Sequence, residues 1–255
     1  MKNLFDLTGR VALVTGGSSG LGVQFAKALA NQGADIAICA RRVDRLEEVK
    51  AEIEALGVKC YTHKCDVLKL EDIEATVKDT YDHYGRLDIL VNNAGLGLVA
   101  PAVDFAAEDW HKMIDTNLNA LFFFARTAAK YMIPAGYGRI INVGSIHSTV
   151  AMKGMPVNAY ATTKGGVLML TKSLANEWAA TGVTVNAIGP AYFASEMTAS
   201  VFEDPALLSV IESCCPMGRV GRPGELDTAI VYFASEFSSY TTGQLLQVDG
   251  GWTTI

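Results

Sequence analysis

An α/β fold built on one doubly wound, seven-stranded parallel sheet is predicted by three features of this sequence. Seven short apolar runs alternate with stretches of helical periodicity along the 255 residues. The runs are continuously apolar, as in strands covered on both faces by helices. A cluster of glycines stands directly behind the first run, at a strand end where such sheets hold their ligands. Half of the residues are apolar, and no linker or repeat breaks the strand–helix alternation, so residues 1–255 read as a single domain.

The elements follow in order. Residues 11–15 form the first strand, the glycines a tight turn, and residues 23–31 the first helix. Strand 35–40, helix 44–56, strand 58–63, helix 70–84 and strand 89–92 complete the first half. One long helix over 107–133, strand 139–143, helix 159–180, strand 183–188, helix 225–234 and strand 245–248 make the second. Residues 191–217 are read as a lid. Right-handed crossovers bring the carboxyl ends of all strands to one edge of the sheet.

Composition excludes several roles. The chain holds 21 Lys and Arg against 27 Asp and Glu, for a net charge of −6, with no block of like charge. Nucleic acid is therefore not an expected partner, because basic patches drive that binding. No apolar run approaches the ~20 residues of a membrane span. Residues 1–6 lack the apolar stretch of a signal peptide, so a cytoplasmic location is expected. The five cysteines are odd in number, and the four histidines are scattered. Neither a disulfide framework nor a metal site is expected. Cys39, inside Ile36-Ala-Ile-Cys-Ala40, reads as a small buried hydrophobe. No basic residue adjoins Cys214 or Cys215 to activate them.

The glycine turn runs Thr15-Gly-Gly-Ser-Ser-Gly-Leu-Gly22. Glycines at 16, 20 and 22 clear the space a pyrophosphate would need, with Ser18, Ser19 and Leu21 in the same turn. The N–H groups that open the following helix would face the phosphates. The other reading is a strand–helix turn with no ligand. The second strand ends at Ala40 with no acid to hold ribose hydroxyls, and Arg41 and Arg42 follow. Guanidinium groups there suit a 2′-phosphate, which makes NADP(H) the preferred cofactor and NAD(H) a possible one. Arg41 is read as the stronger of the two arginines; otherwise both are solvated charges. Asp66, beside Val67, either accepts from an adenine amino group or caps the next helix. Asn93, Ala94 and Gly95, after Asn92, either let the backbone approach a sugar or form a plain turn.

Tyr160 and Lys164 lie four residues apart, which places them on one helix face. An ammonium near a phenol favours the phenolate and draws its pKa down from ~10. Such a phenol can exchange a proton with an alcohol or a ketone. Ser145, just past the fifth strand, either binds the substrate oxygen or caps a helix. Asn117 lies mid-helix, where Asn is a poor helix former. Its amide either holds a water leading to Lys164 or bonds a neighbouring helix.

Together these residues resemble the short-chain dehydrogenase/reductase family over essentially the whole chain. The matching pieces are the glycine turn at 15–22, Cys65-Asp-Val67, the Asn92–Gly95 turn, Asn117, Ser145 and Tyr160-Ala-Thr-Thr-Lys164. Val185–Pro190, Gly218–Glu225 and Thr242–Gly251 continue the match. The resemblance implies a Rossmann-type fold, hydride transfer with NAD(P) and, usually, a homotetramer. It implies Tyr160 as acid/base, Lys164 on the nicotinamide ribose and beside the phenol, Ser145 on the carbonyl and Asn117 as relay. Pro190, Phe193 and Ser195 would form the strip over the nicotinamide. Ala191 stands for the usual Gly, and Ser195 for the usual Thr, so the lid contacts depart from the family pattern.

The spacing from Ser145 to Tyr160 resembles sequences called gluconate 5-dehydrogenases. The substrate is expected between loop 146–158 and lid 191–217, beside Ser145, His147, Met155, Tyr160, Tyr192 and Met197. Neither segment holds an arginine, and Lys153 is their only lysine. A gluconate-type anion would want a cation. The apolar side chains suit a hydroxysteroid or 3-oxoacyl ketone, or are ordinary lid packing. A nucleotide-binding sensor without catalysis is a further alternative. Helices 107–133 and 159–180 carry more apolar residues than one face needs, as in Leu121-Phe-Phe-Phe124 and Val167-Leu-Met-Leu170. A second copy of the chain is expected to cover them, with strand 245–248 and tail 252–255 as a second interface.

Overall fold

The apolar runs become seven parallel strands: β1 (Val11–Thr15), β2 (Asp35–Ala40), β3 (Cys60–Lys64), β4 (Ile89–Asn92), β5 (Gly138–Val143), β6 (Val183–Pro190) and β7 (Leu245–Val248). The structure is a computed structural model that describes residues 3–254; Met1, Lys2 and Ile255, and with Ile255 the end of the expected second interface, lie outside the described residues. The strand order is β3-β2-β1-β4-β5-β6-β7. From β1 the chain winds outward through β2 to β3, then returns to β4 on the other side of β1. That reversal opens a crevice above the carboxyl ends of β1 and β4, where Val14 pairs with Val91.

Helices cover both faces. On one side lie α1 (Gly20–Ala30), α2 (Val43–Glu54) and α9 (Asp227–Ala234), with Phe25, Leu29, Leu46, Ile53 and Phe233 fully buried against the sheet. On the other lie α3 (Leu70–Tyr84), α5 (Ala120–Met132) and α6 (Asn158–Trp178), which bury Ile73, Val77, Phe124, Met132 and Leu174. Sealing one such phenylalanine from water is worth about 2–3 kcal/mol. A third cluster of Ile146, Val201, Ile211, Cys215 and Trp252 packs under the lid. No helix among the described residues is long and apolar enough to cross a membrane.

Several boundaries differ from the sequence reading. Helix α1 begins at Gly20 rather than at 23, so two of the turn glycines form its first turn. Strand β3 begins at Cys60 because the backbone N–H of Lys59 is taken by the Asp35 carboxylate at 2.8 Å, and pairing starts with Ile36 and Cys60. The expected long helix 107–133 is two helices, α4 (Ala107–Ile114) and α5, joined by a π-helical turn over Asp115–Asn119. The lid is itself helical. A short turn over Glu196–Thr198 leads into α7 (Ala199–Glu203) and α8 (Pro205–Cys214). Asp204 caps α8 by accepting from the N–H groups of Ala206 and Leu207 at 2.9 and 3.2 Å, ahead of a proline at the first position.

Candidate active site

The crevice is a groove of about 550 Å³ that runs from the glycine turn to the lid. Gly16 has φ +67, a conformation that favours glycine, and a Cβ there would lie 2.9 Å from the Asn93 amide. A Cβ at Gly22 would lie 2.3 Å from the Gly16 carbonyl oxygen, so Gly22 lets α1 approach the turn instead of lining the groove. Ser19 precedes α1 without capping it through its side chain, which leaves the N–H groups of the first helical turn facing the groove. Ser18, Ser19, Gly20, Leu21, Arg41, Arg42, Asp66, Val67, Asn93, Ala94, Gly95, Pro190, Phe193 and Ser195 all line it, as do Ser145, Tyr160 and Lys164.

The strand ends lock together behind this wall. Thr15 Oγ1 accepts from the N–H groups of Asn93 and Ala94, each at 3.0 Å. The Asn93 side-chain amide donates back to the Thr15 carbonyl at 2.9 Å. Thr15 was not among the residues expected to shape the site; its signal is a hydroxyl at the last position of a buried strand, next to the glycines. Asp66 braces its own turn, where its carboxylate accepts from the Leu68 N–H at 3.2 Å. Ser195 likewise closes a capping box with Thr198, yet both line the groove. Arg42, read as the weaker arginine, holds Ser19 and Glu196, whereas Arg41 lies exposed along the groove wall.

At the far end, α6 presents Tyr160 and Lys164 toward the end of β5. Lys164 is 5% exposed and donates to the Val143 carbonyl at 2.7 Å, with Nζ 5.6 Å from the centre of the Tyr160 ring. Burial pulls the Lys164 ammonium down to about 8. Burial also pushes the Tyr160 phenol above its usual value, and a hydrogen bond with Ser145 offsets part of that rise. The expected fall of the phenol is thus reversed here, because desolvation outweighs the hydrogen bond with Ser145. Ser145 is also a cap, since its hydroxyl accepts from the His147 N–H at 3.1 Å at the head of a short turn over Ile146–Ser148. Both readings of Ser145 are compatible.

Asn117 does not line the groove. Its side chain clamps Leu96, accepting from the Leu96 N–H and donating to its carbonyl, both at 2.8 Å, and reaches Thr163 Oγ1 at 3.2 Å. The bond to α6 is the interhelical contact that was one of its two readings. The π turn around Asn117 widens the helix enough to aim this amide at the loop after β4.

On the substrate side, His147 is buried, with Nδ1 3.0 Å from the Val150 carbonyl, and its ring meets Tyr160 edge-on at 6.0 Å. Met197 lines the groove, while Tyr192 lies behind it on a second cavity and is reached by Met155. Gly97 was missed. A Cβ there would lie 3.4 Å from Met197 Sδ and 4.0 Å from the Tyr160 ring, ordinary contact distances, so Gly97 sits beside both side chains. The groups of three or more His, Cys, Asp or Glu that a metal ion needs are absent among the described residues.

A sheet of this order, with a glycine turn at its switch point and a Tyr–Lys pair at the opposite end of one groove, defines a nucleotide-dependent oxidoreductase fold. A family model described as Enoyl-(Acyl carrier protein) reductase matches residues 16–253. The chain belongs to the short-chain dehydrogenase/reductase family. It is 39% identical over 251 residues to a gluconate 5-dehydrogenase of Gluconobacter oxydans, covering 98% of this chain and 97% of the relative. It is 38% identical to a 2-dehydro-3-deoxy-D-gluconate 5-dehydrogenase of Bacillus subtilis, covering 99% and 98%. The crystal structure of a gluconate 5-dehydrogenase from Burkholderia cenocepacia in complex with NADP and tartrate superposes with a TM-score of 0.95 at 36% identity, covering 99% of this chain and 98% of that one.

Proposed function

We propose that this protein is an NADP-dependent oxidoreductase that interconverts a secondary alcohol and a ketone. The observation that carries this reading is the convergence of Ser145, Tyr160 and Lys164 on the same groove that begins at the uncapped end of α1. The groove fits a dinucleotide. Gly16, Gly20 and Gly95 line it without side chains, free N–H groups face the phosphate end, and two arginines stand at the ribose end. NADP, named in the crystal structure of the Burkholderia relative, agrees with those arginines.

When bound there, the nicotinamide would supply or accept the hydride. Tyr160 transfers the proton to or from the substrate oxygen. Ser145 holds that oxygen and the phenol in one hydrogen-bonded line. Lys164 would hold the nicotinamide ribose and, as an ammonium, would oppose the rise of the phenol that burial imposes. Asn117 fixes the loop after β4 through Leu96 and keeps α6 in place through Thr163. A sensor that only bound nucleotide would have no use for a buried lysine beside a phenol, which favours the enzyme over that alternative. Gluconate-type substrates are suggested by the names of relatives, apolar ketones by the side chains of the lid.

We further propose a homotetramer in the cytoplasm. Met169 on α6 is 62% exposed and Phe122 and Phe123 on α5 are only half buried, which leaves apolar surface for a second copy. All five cysteines are free thiols, which suits a reducing compartment. The function is tested by following NADPH consumption with a panel of ketones. No turnover of any ketone by a protein that binds NADPH would overturn it.

A further inference from the structure

The groove carries a cation for which the arginines at its ribose end do not account. Lys112, on α4, lines the same groove as the glycine turn, and it is exposed. Met113 is the buried anchor of α4, whereas Thr116, four residues beyond Lys112, lines the groove as well. Positions four apart share a helix face, so one stripe of this helix fronts the groove. Helix α4 packs against α6 and leads through the π turn into α5. Both α5 and α6 cover the face of the sheet opposite α1. Lys112 therefore stands across the groove from the free N–H groups that open α1.

The charges around it are already matched. Arg42 is paired with Glu196 at 2.9 Å, and Lys164 donates to the Val143 carbonyl at 2.7 Å. Of the two acids that line the groove, Asp66 accepts from the Leu68 N–H and Glu196 is held by Arg42 and Ser19. Among the described residues the Lys112 side chain makes no ion pair and no hydrogen bond. An ammonium that faces a groove without a counter-ion of its own favours an anion bound there.

We propose, resting on the dinucleotide reading above, that Lys112 is a cofactor-binding residue whose ammonium pairs with a phosphate of the bound dinucleotide from the wall opposite α1. Arg41 and Arg42 stand at the ribose end, which leaves the pyrophosphate as its partner. That anion is common to NADPH and NADH. Lys112 thus adds affinity without adding preference, whereas Arg41 separates the two cofactors.

Fluorescence titration of NADPH and of NADH against the parent, Lys112→Met and Lys112→Arg tests this. Lys112→Met is expected to raise the Kd of both cofactors about 3- to 10-fold and to keep their ratio within about twofold of the parent. Lys112→Arg should restore most of the affinity, because it returns the charge. The difference between parent and Lys112→Met should fade in ~1 M salt, which screens an exposed pair. A loss confined to NADPH overturns the pyrophosphate assignment and moves Lys112 to the 2′-phosphate. Unchanged Kd values for both cofactors overturn the proposal; if the KM for the anionic ketone 5-ketogluconate rises instead, Lys112 serves the substrate. A parent protein that binds neither dinucleotide overturns the oxidoreductase reading and this proposal with it.

Discussion

Arg42 and Glu196 are joined across the mouth of the cofactor groove. The guanidinium donates to both carboxylate oxygens, at 3.1 and 2.9 Å, and one of those oxygens also accepts from Ser19 Oγ at 3.0 Å. The lid is thereby tied to the glycine turn by the donors a phosphate would use. The pair is exposed and contributes at most about 1 kcal/mol to stability.

Because Glu196 holds an anion's place beside the arginines, its charge should oppose a 2′-phosphate. Glu196→Gln is expected to lower the Kd for NADPH about 3- to 10-fold and to move NADH by less than about twofold, read by fluorescence titration. Arg41→Ala should weaken NADPH by about 1.5–3 kcal/mol and barely touch NADH. Equal effects on the two cofactors would refute a phosphate role for these side chains.

Asn117 satisfies both backbone groups of Leu96 from within the π turn. Asn117→Leu should leave them unpaired and cost about 2–3 kcal/mol. For a chain of this size that corresponds to a fall in Tm of roughly 5–10 °C. Calorimetry showing an unchanged Tm would mean that water replaces the clamp.

In the role proposed for it, Lys164 sets function against stability. Burial takes its pKa down on folding to about 8 from the ordinary lysine value of 10.5. The unfolded chain therefore binds more protons between those values, so stability rises with pH through about 8 to 10.5, and the penalty is fully present below pH 8. That penalty is about 3 kcal/mol, of which about 1 would be returned as an unpaired Val143 carbonyl once the amine is removed. Lys164→Met should thus stabilise the chain by about 2 kcal/mol at pH 7, with the gain gone by pH 10, while turnover is lost. Denaturant melts at the two pH values check the sign; a variant less stable than the parent at pH 7 would contradict it.

The proposed assembly is checked by light scattering at micromolar concentration. A particle of four chains is expected. An active, stable monomer of 27.2 kDa would rule it out.

The strands were legible because buried parallel strands are continuous apolar runs; β1, β2 and β4 begin and end where the sequence reading placed them, as does the less buried edge strand β7. Residues that sit at strand ends were legible for the same reason: once β1, β4 and β5 are placed, Gly16, Asn93 and Ser145 fall on one edge. The π turn at Asp115–Asn119 was not, because its apolar pattern continues through Leu118 and Leu121 as in an unbroken helix; only the poor helix former Asn117 marked it. The Arg42–Glu196 link was also hidden, since it joins positions 154 apart and neither side carries a motif. The direction of the phenol's shift was misjudged because proximity of an ammonium is visible as sequence spacing, whereas desolvation depends on what the lid covers.

The central claim is that one phenol carries the proton. Turnover of NADPH with a ketone substrate, and NADPH binding by fluorescence, should be measured side by side for the parent and Tyr160→Phe. The account predicts a loss of at least ~10²-fold in kcat with the Kd for NADPH within about twofold of the parent. A Tyr160→Phe enzyme that keeps activity within about tenfold of the parent would contradict it.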